Sequence, residues 1–249
     1  METKSPERVK VILPARLAST RLPRKLLLRH NGKSLLQIVY EKAASLEPLW
    51  ETWAAVDSEE LLQEVEGFGG RALLTPESLD SGSARVSWAA ERLGGDILVN
   101  LQADEPMILA QDVARALSAL RENPSASAST LAFHNNDYSD FLSPNNVKVV
   151  VDSSGRGCYF SRSPIPYQTR ESFQGFLHHV GVYVYRREFL LKTFPSLRSS
   201  WERGERLEQL RLLENGYTLV VETASRPTLG IDTAEDWEKF KALSGGENG

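Results

Sequence analysis

The chain has a single cysteine, Cys158, among its 249 residues, and it has no long hydrophobic run. One cysteine excludes an internal disulfide and a cysteine cluster for zinc, and we expect Cys158 to be a small buried thiol on a strand. A membrane-spanning helix needs about 20 consecutive apolar residues, which the sequence does not offer. The first 15 residues also lack the hydrophobic segment of a secretory signal. We therefore expect a cytoplasmic protein with no membrane partner.

Acidic residues are missing from one early stretch of an otherwise acidic chain. The net charge is −4, yet positions 8–40 hold eight basic residues and neither Asp nor Glu. Subtracting these eight from the 29 basic residues leaves 21 against 33 acidic residues, a net charge of −12 for the remainder. Such a run is either a solvated face or a binding site, and its confinement suits a compact triphosphate better than a nucleic acid. The eight residues are Arg8, Lys10, Arg16, Arg21, Arg24, Lys25, Arg29 and Lys33.

Short apolar runs alternate with helical patterns through the first half, and 41% of the chain is hydrophobic, enough for a substantial core. The run Val9–Leu13, ended by Pro14, is typical of a buried strand, and a helical period begins at Ser34. Strands that are apolar on both faces and separated by helices indicate a mostly parallel sheet with helices on both sides, an α/β fold. Further strands are predicted at 52–56, 71–74 and 96–101, and helices at 59–68, 83–93 and 111–122.

The second half is richer in strands. Asp152–Gly155 has the composition of a hairpin turn between strands at 147–151 and 157–160. Residues 202–215 predict one continuous amphipathic helix, and Thr233 with Asp236 predicts a capping pair for a last helix at 233–243. We expect a mixed extension of the first sheet, and hence a single α/β domain, 1–249, with halves at about 9–125 and 126–243. The other predicted strands are 128–133, 180–185 and 217–222.

Two glycine-containing segments come close to phosphate-binding fingerprints without matching them. Gly32–Ser34 reads GKS, but a P-loop needs glycine where Leu27 stands. Gly67–Ala72 fits GxGxxA, but it follows a predicted helix and precedes a predicted strand, the reverse of the dinucleotide-binding order. A nicotinamide oxidoreductase is therefore a disfavoured alternative. A nucleotide-binding module without catalytic activity is an alternative of another class.

Two loops follow the carboxyl ends of predicted parallel strands, where α/β sheets bind ligands. The loop at 14–25 combines arginines, hydroxyls and a lysine, which suit phosphate oxygens. The other loop carries Asp104, and a further carboxylate, Asp232, precedes the last predicted helix. Each aspartate can be a helix cap, or the two can hold Mg²⁺, which binds one or two carboxylates together with phosphate oxygens. With the basic loop, the pair indicates a nucleotidyl-transfer site.

Six motifs occur in a fixed order along most of the chain. They are ILPARLASTRLP at 12–23, LQADEPMI at 101–108, YFSRSPIP at 159–166, HVGVY at 179–183, LEQLR at 207–211 and GIDT at 230–233. Together they closely resemble the 3-deoxy-manno-octulosonate (Kdo) cytidylyltransferases, or CMP-Kdo synthetases. The resemblance implies a nucleotide-diphospho-sugar-transferase-like fold, a homodimer, and conversion of CTP and Kdo to CMP-Kdo and pyrophosphate for lipopolysaccharide assembly.

The resemblance also implies roles for matching residues. CTP would bind in the first half, and the acidic eight-carbon sugar in the second half, which would also form the dimer. Arg16, Lys25 and Asp104 would be catalytic, with Mg²⁺ held by Asp104 and Asp232. Nucleotide contacts are implied for Arg16, Ser19, Thr20, Arg21, Lys25, Arg85 and Gln102. Sugar contacts are implied for Arg162, which would face the carboxylate, and for His179, Tyr183, Glu208 and Gln209. From pattern alone, Tyr183 is equally a core aromatic and Glu208 equally a solvated helix residue.

Three positions depart from the family pattern. Arg24 stands where the family usually has a glycine, so a glycine-dependent turn is expected to be rearranged. Ala103 adds a methyl group beside the nucleotide, and Ala84 removes an acidic side chain. These departures leave two alternatives open: a related or 8-modified acidic sugar as substrate, or a non-catalytic paralogue. The sequence shows no committed general base, and a metal-lowered hydroxyl pKa is the preferred route for proton loss.

Overall fold

In the computed structural model, which describes residues 7–45 and 50–244, the first strand is buried along its entire length. It pairs in parallel with two other strands, and one of these pairs in parallel with a fourth, in the order β6-β1-β4-β5. Burial on both faces is the reason why β1 lacks polar alternation. A short antiparallel hairpin, β2-β3, follows β1. The strands are β1 (Val9–Ala15), β2 (Arg29–His30), β3 (Lys33–Ser34), β4 (Glu51–Val56), β5 (Ala72–Leu74) and β6 (Ile97–Leu101).

The chain divides into two compact units. The first consists of Met1–Gln111 and Thr228–Gly249, and the second of Asp112–Pro227. The division falls earlier than the predicted one, and the C-terminal segment returns to the first unit instead of remaining with the second half. The assignment of the whole chain to one domain stays a prediction.

Three helices of the first unit begin after a serine that caps them. Ser34, Ser58 and Ser81 each accept a hydrogen bond from a backbone N–H three residues further on. Such caps satisfy amide groups that have no partner within the helix, so the local sequence determines where each helix begins. The helices are α1 (Leu35–Ala44), α2 (Glu59–Gly67) and α3 (Gly82–Leu93), and a 3-10 turn, Lys25–Leu27, precedes them.

The second unit is a mixed sheet. Strand β7 pairs antiparallel with β10 and parallel with β11, and β8 pairs antiparallel with β10 and β9. The predicted hairpin turn is confirmed, because Asp152 N donates to Arg156 O and Gly155 has a φ of 78°. The strands are β7 (Ala126–Asn135), β8 (Lys148–Val151), β9 (Gly157–Ser161), β10 (Phe176–Arg186) and β11 (Thr218–Thr223). The helices are α4 (Ala110–Glu122), α5 (Tyr138–Leu142), α6 (Ser200–Glu205) and α7 (Leu210–Glu214), with short turns at Phe189–Thr193 and Phe194–Ser196.

Two predictions for this unit are wrong. The continuous helix at 202–215 is two helices, because Arg206 adopts the left-handed conformation (φ 55°, ψ 45°) and ends α6. Cys158 lies on a strand, β9, as predicted, but its thiol is exposed rather than buried. Cys158 lies near the start of β9, and burial in this strand begins only at Phe160.

The last helix, α8 (Ala234–Ser244), has the predicted capping pair. Thr233 N donates to Asp236 Oδ2 (2.9 Å), and Asp236 N donates to Thr233 Oγ1 (3.2 Å). The predicted α/β class is confirmed: strands mostly buried between helices form a mixed sheet. Within the described residues, no helix is both long and apolar enough to cross a membrane.

Candidate active site

The loop that leaves β1 is anchored beside the end of the neighbouring strand. Leu17 N donates to Asp57 Oδ1 (2.9 Å), and Asp57 directly follows β4. Because β1 and β4 are parallel, both chains leave the sheet at the same edge. The loop borders a cavity of about 450 Å³. Its lining residues are Leu17, Ala18, Ser19, Thr20, Pro23, Arg24, Asp57, Ser58 and Glu77.

One ammonium group joins the basic loop to both predicted metal ligands. Lys25 Nζ donates to Asp104 Oδ2 (2.5 Å) and to Asp232 Oδ1 (3.0 Å), and also to the carbonyl oxygen of Ile231 (2.8 Å). Arg21 Nη2 donates to the other carboxylate oxygen of Asp232 (2.7 Å). Burial lowers the pKa of Lys25, but attraction to the two carboxylates outweighs burial and raises the pKa above its ordinary value. Two aspartates far apart in sequence therefore meet around a single atom.

The helix-cap interpretation of both aspartates is wrong. Helix α4 begins at Ala110, six residues beyond Asp104, and α8 is capped by the reciprocal pair of Thr233 and Asp236. The carboxylate of Asp232 instead accepts hydrogen bonds from Lys25 and Arg21. The main chain also joins the two sites, because Ile231 N donates to Asp104 O (2.9 Å).

The donor set of this cluster fits a hard divalent cation. Asp104 and Asp232 present carboxylate oxygens that already share one positively charged partner, Lys25 Nζ. The cluster is a pair, and no group of three or more His, Cys, Asp or Glu side chains is placed to hold a metal anywhere in residues 7–45 and 50–244. Mg²⁺ commonly takes only one or two protein carboxylates and completes its octahedron with water and phosphate oxygens. The two carboxylates therefore fit the donor requirements of Mg²⁺.

The positive tract is largely neutralised. Seven of its eight basic residues form ion pairs, so it is not one continuous positive surface. At the exit of β1, Arg16 Nη1 donates to the carbonyl oxygen of Asp80 (3.1 Å). Arg16, Arg21 and Lys25 are thus the members that contact the strand-end region. The pairs are Arg8–Asp96, Lys10–Glu51, Arg21–Asp232, Arg24–Glu60, Lys25–Asp104, Arg29–Glu64 and Lys33–Glu41.

Gln102 follows β6 and lies against the start of α3. Its Nε2 donates to Asn100 Oδ1 (2.9 Å). A Cβ atom on Gly82 would lie 3.2 Å from that Nε2 and 3.4 Å from Pro14 Cγ. The missing side chain of Gly82 therefore lets the N-terminus of α3 approach the ends of both β1 and β6.

Arg85 occupies a different environment from the other predicted nucleotide ligands. It is fully buried, and its guanidinium donates to Thr75 Oγ1 and to the carbonyl oxygen of Leu79 (3.3 Å). Burial lowers the pKa of Arg85, although the nearby carboxylate of Asp57 (3.9 Å) opposes this effect. In this structure Arg85 holds the segment between β5 and α3 in place.

The family departures have local structural explanations. Arg24 keeps a left-handed turn (φ 57°, ψ 29°) at the start of the Lys25 turn, and its guanidinium pairs with Glu60. A side chain at this conformation is uncommon, so the turn persists without glycine at some cost in backbone energy. Ala103 is buried just after β6. The backbone N–H of Ala84 donates to the cap Ser81, which identifies position 84 as the third residue of α3.

The predicted sugar residues all lie in the second unit, and three of them form one cluster. Tyr183 Oη donates to Gln209 Oε1 (3.0 Å), and the ring of His179 lies 5.4 Å from the ring of Tyr183. His179 Nε2 is hydrogen-bonded to Thr130 Oγ1 (2.9 Å). Burial lowers the pKa of His179 to about 3, and burial together with Glu208 raises the pKa of Tyr183. Gln209 is buried, and its Nε2 lacks a hydrogen-bond partner among the described residues.

Arg162 directly follows β9. Phe160, two residues earlier on that strand, contacts the ring of His179 and so links the strand to this cluster. Its Nε donates to the carbonyl oxygen of Glu205 (3.0 Å). Glu208 Oε1 lies 3.8 Å from Arg211 Nη2, and the negative charge of Glu208 contributes to the raised pKa of Tyr183. Glu208 is therefore not simply a solvated residue.

Three residues that these contacts bring forward were missed by sequence analysis: Asp57, Lys148 and Glu205. Asp57 had a usable signal, because it follows β4 at the same sheet edge as the basic loop. Lys148 also had a signal, because it is the one charged residue in the apolar strand predicted at 147–151. Glu205 had no such signal, because its position depends on the helix break at Arg206.

The GxGxxA segment lies between α2 and β5, so the strand-then-helix order expected for a nicotinamide site is not present there.

Comparison with known proteins gives consistent results. A family model described as cytidylyltransferase matches residues 10–223. A 3-deoxy-manno-octulosonate cytidylyltransferase of Geobacter sulfurreducens is 42% identical over 242 residues, covering 93% of this chain and 97% of the relative. The corresponding Escherichia coli protein is 39% identical over 233 residues, covering 94% of each chain.

Two solved structures are similar to this chain, one in sequence and fold and the other in fold alone. CMP:2-keto-3-deoxy-manno-octonic acid synthetase complexed with CTP superposes with a TM-score of 0.90 at 38% identity, covering 96% of this chain and 99% of the other. 4-Diphosphocytidyl-2C-methyl-D-erythritol synthase from Anaerococcus prevotii superposes with a TM-score of 0.64 at 11% identity, covering 96% of this chain and 99% of the other. The second likeness shows a shared fold alone.

Proposed function

This chain belongs to the cytidylyltransferase family, among the 3-deoxy-manno-octulosonate cytidylyltransferases, and we propose that its strand-end aspartates and basic loop carry the transfer of CMP from CTP. The reaction converts CTP and Kdo to CMP-Kdo and pyrophosphate for lipopolysaccharide biosynthesis. The convergence of Lys25, Asp104 and Asp232 on one point is the observation that carries the residue assignment.

The phosphate groups of CTP would lie along the exit of β1. Arg16 and Arg21 provide guanidiniums there, Ser19 and Thr20 provide hydroxyls from the cavity wall, and Lys25 provides an ammonium. Charge-assisted hydrogen bonds of this kind are short and strong, and an ammonium is suited to the charge of departing pyrophosphate. Gln102 and the segment held by Arg85 would border the cytidine.

Asp104 and Asp232 would hold Mg²⁺, which would neutralise charge on phosphate oxygens when it is bound. The anomeric hydroxyl oxygen of the sugar attacks the α-phosphorus in line with the leaving group. A new O–P bond forms, the bond from the α-phosphorus to the bridging oxygen breaks, and pyrophosphate leaves with that electron pair. The hydroxyl proton is released to solvent or to a phosphate oxygen. Because the sugar oxygen attacks the phosphorus directly, no covalent enzyme intermediate is needed. Preorganised positive groups stabilise the charge that develops on the phosphates.

In the second unit, Arg162 would bind the sugar carboxylate, because a guanidinium matches the planar geometry of a carboxylate. His179, Tyr183, Glu208 and Gln209 would surround the hydroxyls. The buried Gln209 Nε2 supports this assignment, since a sugar hydroxyl would supply the missing acceptor. We also propose that the enzyme acts as a homodimer in the cytoplasm, where CTP is available.

The substitution Asp104→Asn tests the metal assignment. We expect turnover to fall about 100-fold or more while the melting temperature changes little, since one charged oxygen is lost from a partly exposed carboxylate. The measurement is pyrophosphate release with CTP, Mg²⁺ and Kdo. Asp96→Asn is a matched control, because Asp96 precedes the same strand at its opposite end and is exposed. CMP-Kdo formation by Asp104→Asn at the rate of the control would contradict the assignment.

The same assay with a panel of acidic sugars separates the alternatives. A module that only binds nucleotide would bind CTP and release no pyrophosphate with any sugar. An enzyme for an 8-modified octulosonate would release pyrophosphate faster with that sugar than with Kdo.

A further inference from the structure

Arg162 is held from four directions within the second unit. Its backbone N–H donates to Glu205 Oε2 (2.9 Å), its Nε to Glu205 O (3.0 Å) and its Nη1 to Pro144 O (3.0 Å). Its own carbonyl oxygen accepts a hydrogen bond from Lys148 Nζ (2.5 Å). The main chain and the side chain of this arginine are therefore both fixed by the same small set of neighbours.

Lys148 is a buried cation whose hydrogen atoms all go to main-chain oxygens. It is fully buried in β8, and its Nζ donates to Ser143 O (2.8 Å), Asn146 O (2.8 Å) and Arg162 O. An ammonium has three N–H groups and no acceptor, so these three carbonyls use it completely. Burying a charge is costly, and an apolar side chain would suit this strand better. What the cation achieves is a tie between the 143–146 loop and Arg162.

Glu205 provides the second tie, and the break in the predicted helix makes it possible. Glu205 is the last residue of α6, and Arg206 then turns into the left-handed region. The carboxylate of Glu205 accepts hydrogen bonds from Ser161 Oγ (2.6 Å) and Arg162 N. Because the helix ends there, the carbonyl oxygen of Glu205 is available to Arg162 Nε. A continuous helix would have bonded that carbonyl internally.

We propose that Lys148 and Glu205 are positioning residues for Arg162 and that, through it, they set the affinity for the sugar carboxylate. The hydrogen bonds to Glu205 O and Pro144 O are donated by Nε and Nη1 of Arg162. These two bonds leave the Nη2 side of the guanidinium to face the sugar carboxylate. An arginine oriented in advance loses less conformational freedom when it binds a carboxylate. This inference rests on the proposed role of Arg162.

Steady-state kinetics of two variants test the proposal. We expect Lys148→Met and Glu205→Gln to raise the KM for Kdo about tenfold, while the KM for CTP and kcat stay within about twofold of the parent enzyme. Lys192→Met is the matched control, because Lys192 is exposed and pairs with Glu188 on its own turn. A KM for Kdo that both variants leave unchanged would overturn the proposal.

The pH dependence of the unmodified enzyme gives a second measurement. Burial lowers the pKa of Lys148 to about 8, with Glu205 opposing this effect and Arg162 reinforcing it. His178 also faces Lys148, and burial keeps its own pKa at about 4. Above pH 8 the amine has only two N–H groups for three carbonyls. We therefore expect the KM for Kdo to rise between about pH 7 and pH 9 while the KM for CTP does not follow it. Identical pH profiles in the parent enzyme and in Lys148→Met would contradict this.

Arg162→Met separates this inference from the function on which it rests. If Arg162→Met leaves the KM for Kdo unchanged, the assignment of Arg162 to the sugar is wrong, and the inference falls with it. If Arg162→Met raises that KM while Lys148→Met and Glu205→Gln do not, only the inference is wrong. Thermal melting establishes that each variant is folded, and if Lys148→Met does not fold, Glu205→Gln and the pH profile of the parent enzyme decide the matter.

Discussion

Lys25 binds the same two carboxylates that a divalent cation would use. Its Nζ contacts oxygens of Asp104 and Asp232, and Mg²⁺ with its shorter bonds to oxygen would need that same position. On the proposed assignment, the ammonium would have to move when the cation binds, and phosphate oxygens of the nucleotide are its natural next partner. The side chain of Lys25 would then couple the binding of metal to the binding of nucleotide.

We expect Lys25→Met to bind Mn²⁺ more tightly than the parent enzyme in the absence of nucleotide, about tenfold or more, even though its turnover falls. The competing ammonium is gone, Asp104 loses its ion-pair partner Lys25, and Asp232 keeps Arg21. Titration followed by electron paramagnetic resonance of free Mn²⁺ measures the affinity. Lys33→Met is the control, because Lys33 pairs with Glu41 on the surface. Equal or weaker Mn²⁺ binding by Lys25→Met would show that the ammonium does not compete.

At this scale, residues at strand ends were predictable and residues that act through distant contacts were not. Asp104 follows a buried strand, so the general rule for α/β sheets places it at the ligand edge. Lys148 and Glu205 act through Arg162, and their contacts join β8, α6 and β9. No local pattern encodes such a meeting. Arg24 is a different kind of exception. It adopts a left-handed turn conformation that favours glycine, so the expected rearrangement of the turn did not occur although the residue changed.

Among the elements, α3 has half of a capping box. Ser81 accepts from the backbone N–H at position 84, but Ala84 has no side-chain acceptor to return the bond. We expect Ala84→Glu to stabilise the protein by about 0.3–1.5 kcal/mol, because the carboxylate can accept from the Ser81 N–H and also lies at the positive end of the helix. This corresponds to a rise in melting temperature of about 1–6 °C.

Thermal melting of Ala84→Glu measures the effect, and Ala84→Gln is the control. The glutamine oxygen can accept from the same Ser81 N–H but carries no charge, so glutamine should give the part of the gain that does not come from the helix dipole. A melting temperature that Ala84→Glu leaves unchanged or lowers would contradict the prediction.

Periodicity predicted most helix and strand positions, and the helix predicted at 202–215 is the main exception. The 202–215 segment has an unbroken amphipathic pattern, yet Arg206 interrupts it. The hydrogen bonds of Glu205 with Ser161 and Arg162 compensate the strain of a left-handed arginine. Because that compensation comes from β9, periodicity within the segment could not reveal the break.

Over the whole molecule, two buried imidazoles link stability to pH. Burial lowers the pKa of His178 to about 4 and that of His179 to about 3. In the unfolded chain these groups titrate near pH 6.5, so below that pH the unfolded state binds more protons than the folded state. The free energy of unfolding therefore falls as the pH decreases from 6.5 towards 4, by up to about 1.4 kcal/mol per pH unit for each imidazole.

We expect His178→Asn to flatten this dependence, because one of the two groups no longer takes up a proton on unfolding. Chemical denaturation at several pH values between about 4 and 7 measures the slope. His134→Asn, at an exposed position in the same unit, is the matched variant. A slope for His178→Asn as steep as that of His134→Asn would contradict the assignment.

The α/β class was predictable from the alternation of buried strands and helices, but the path of the chain between the units was not. Periodicity carries no information about which unit a C-terminal helix joins. Residues 228–244 return to the first unit, where they make contacts such as those of Ile231 and Asp232 with Lys25. These contacts are electrostatic and long-range in sequence, so they leave no trace in a hydrophobic pattern.

The two-segment construction of the first unit has a consequence during synthesis. A ribosome releases Lys25 and Asp104 early, whereas Asp232 emerges only after the entire second unit has been translated. A nascent or prematurely terminated polypeptide that ends anywhere between these segments lacks Asp232, and so has one of the two carboxylates proposed to hold the cation. On that proposal, such fragments would not transfer CMP, and catalytic competence would be acquired only near the end of translation.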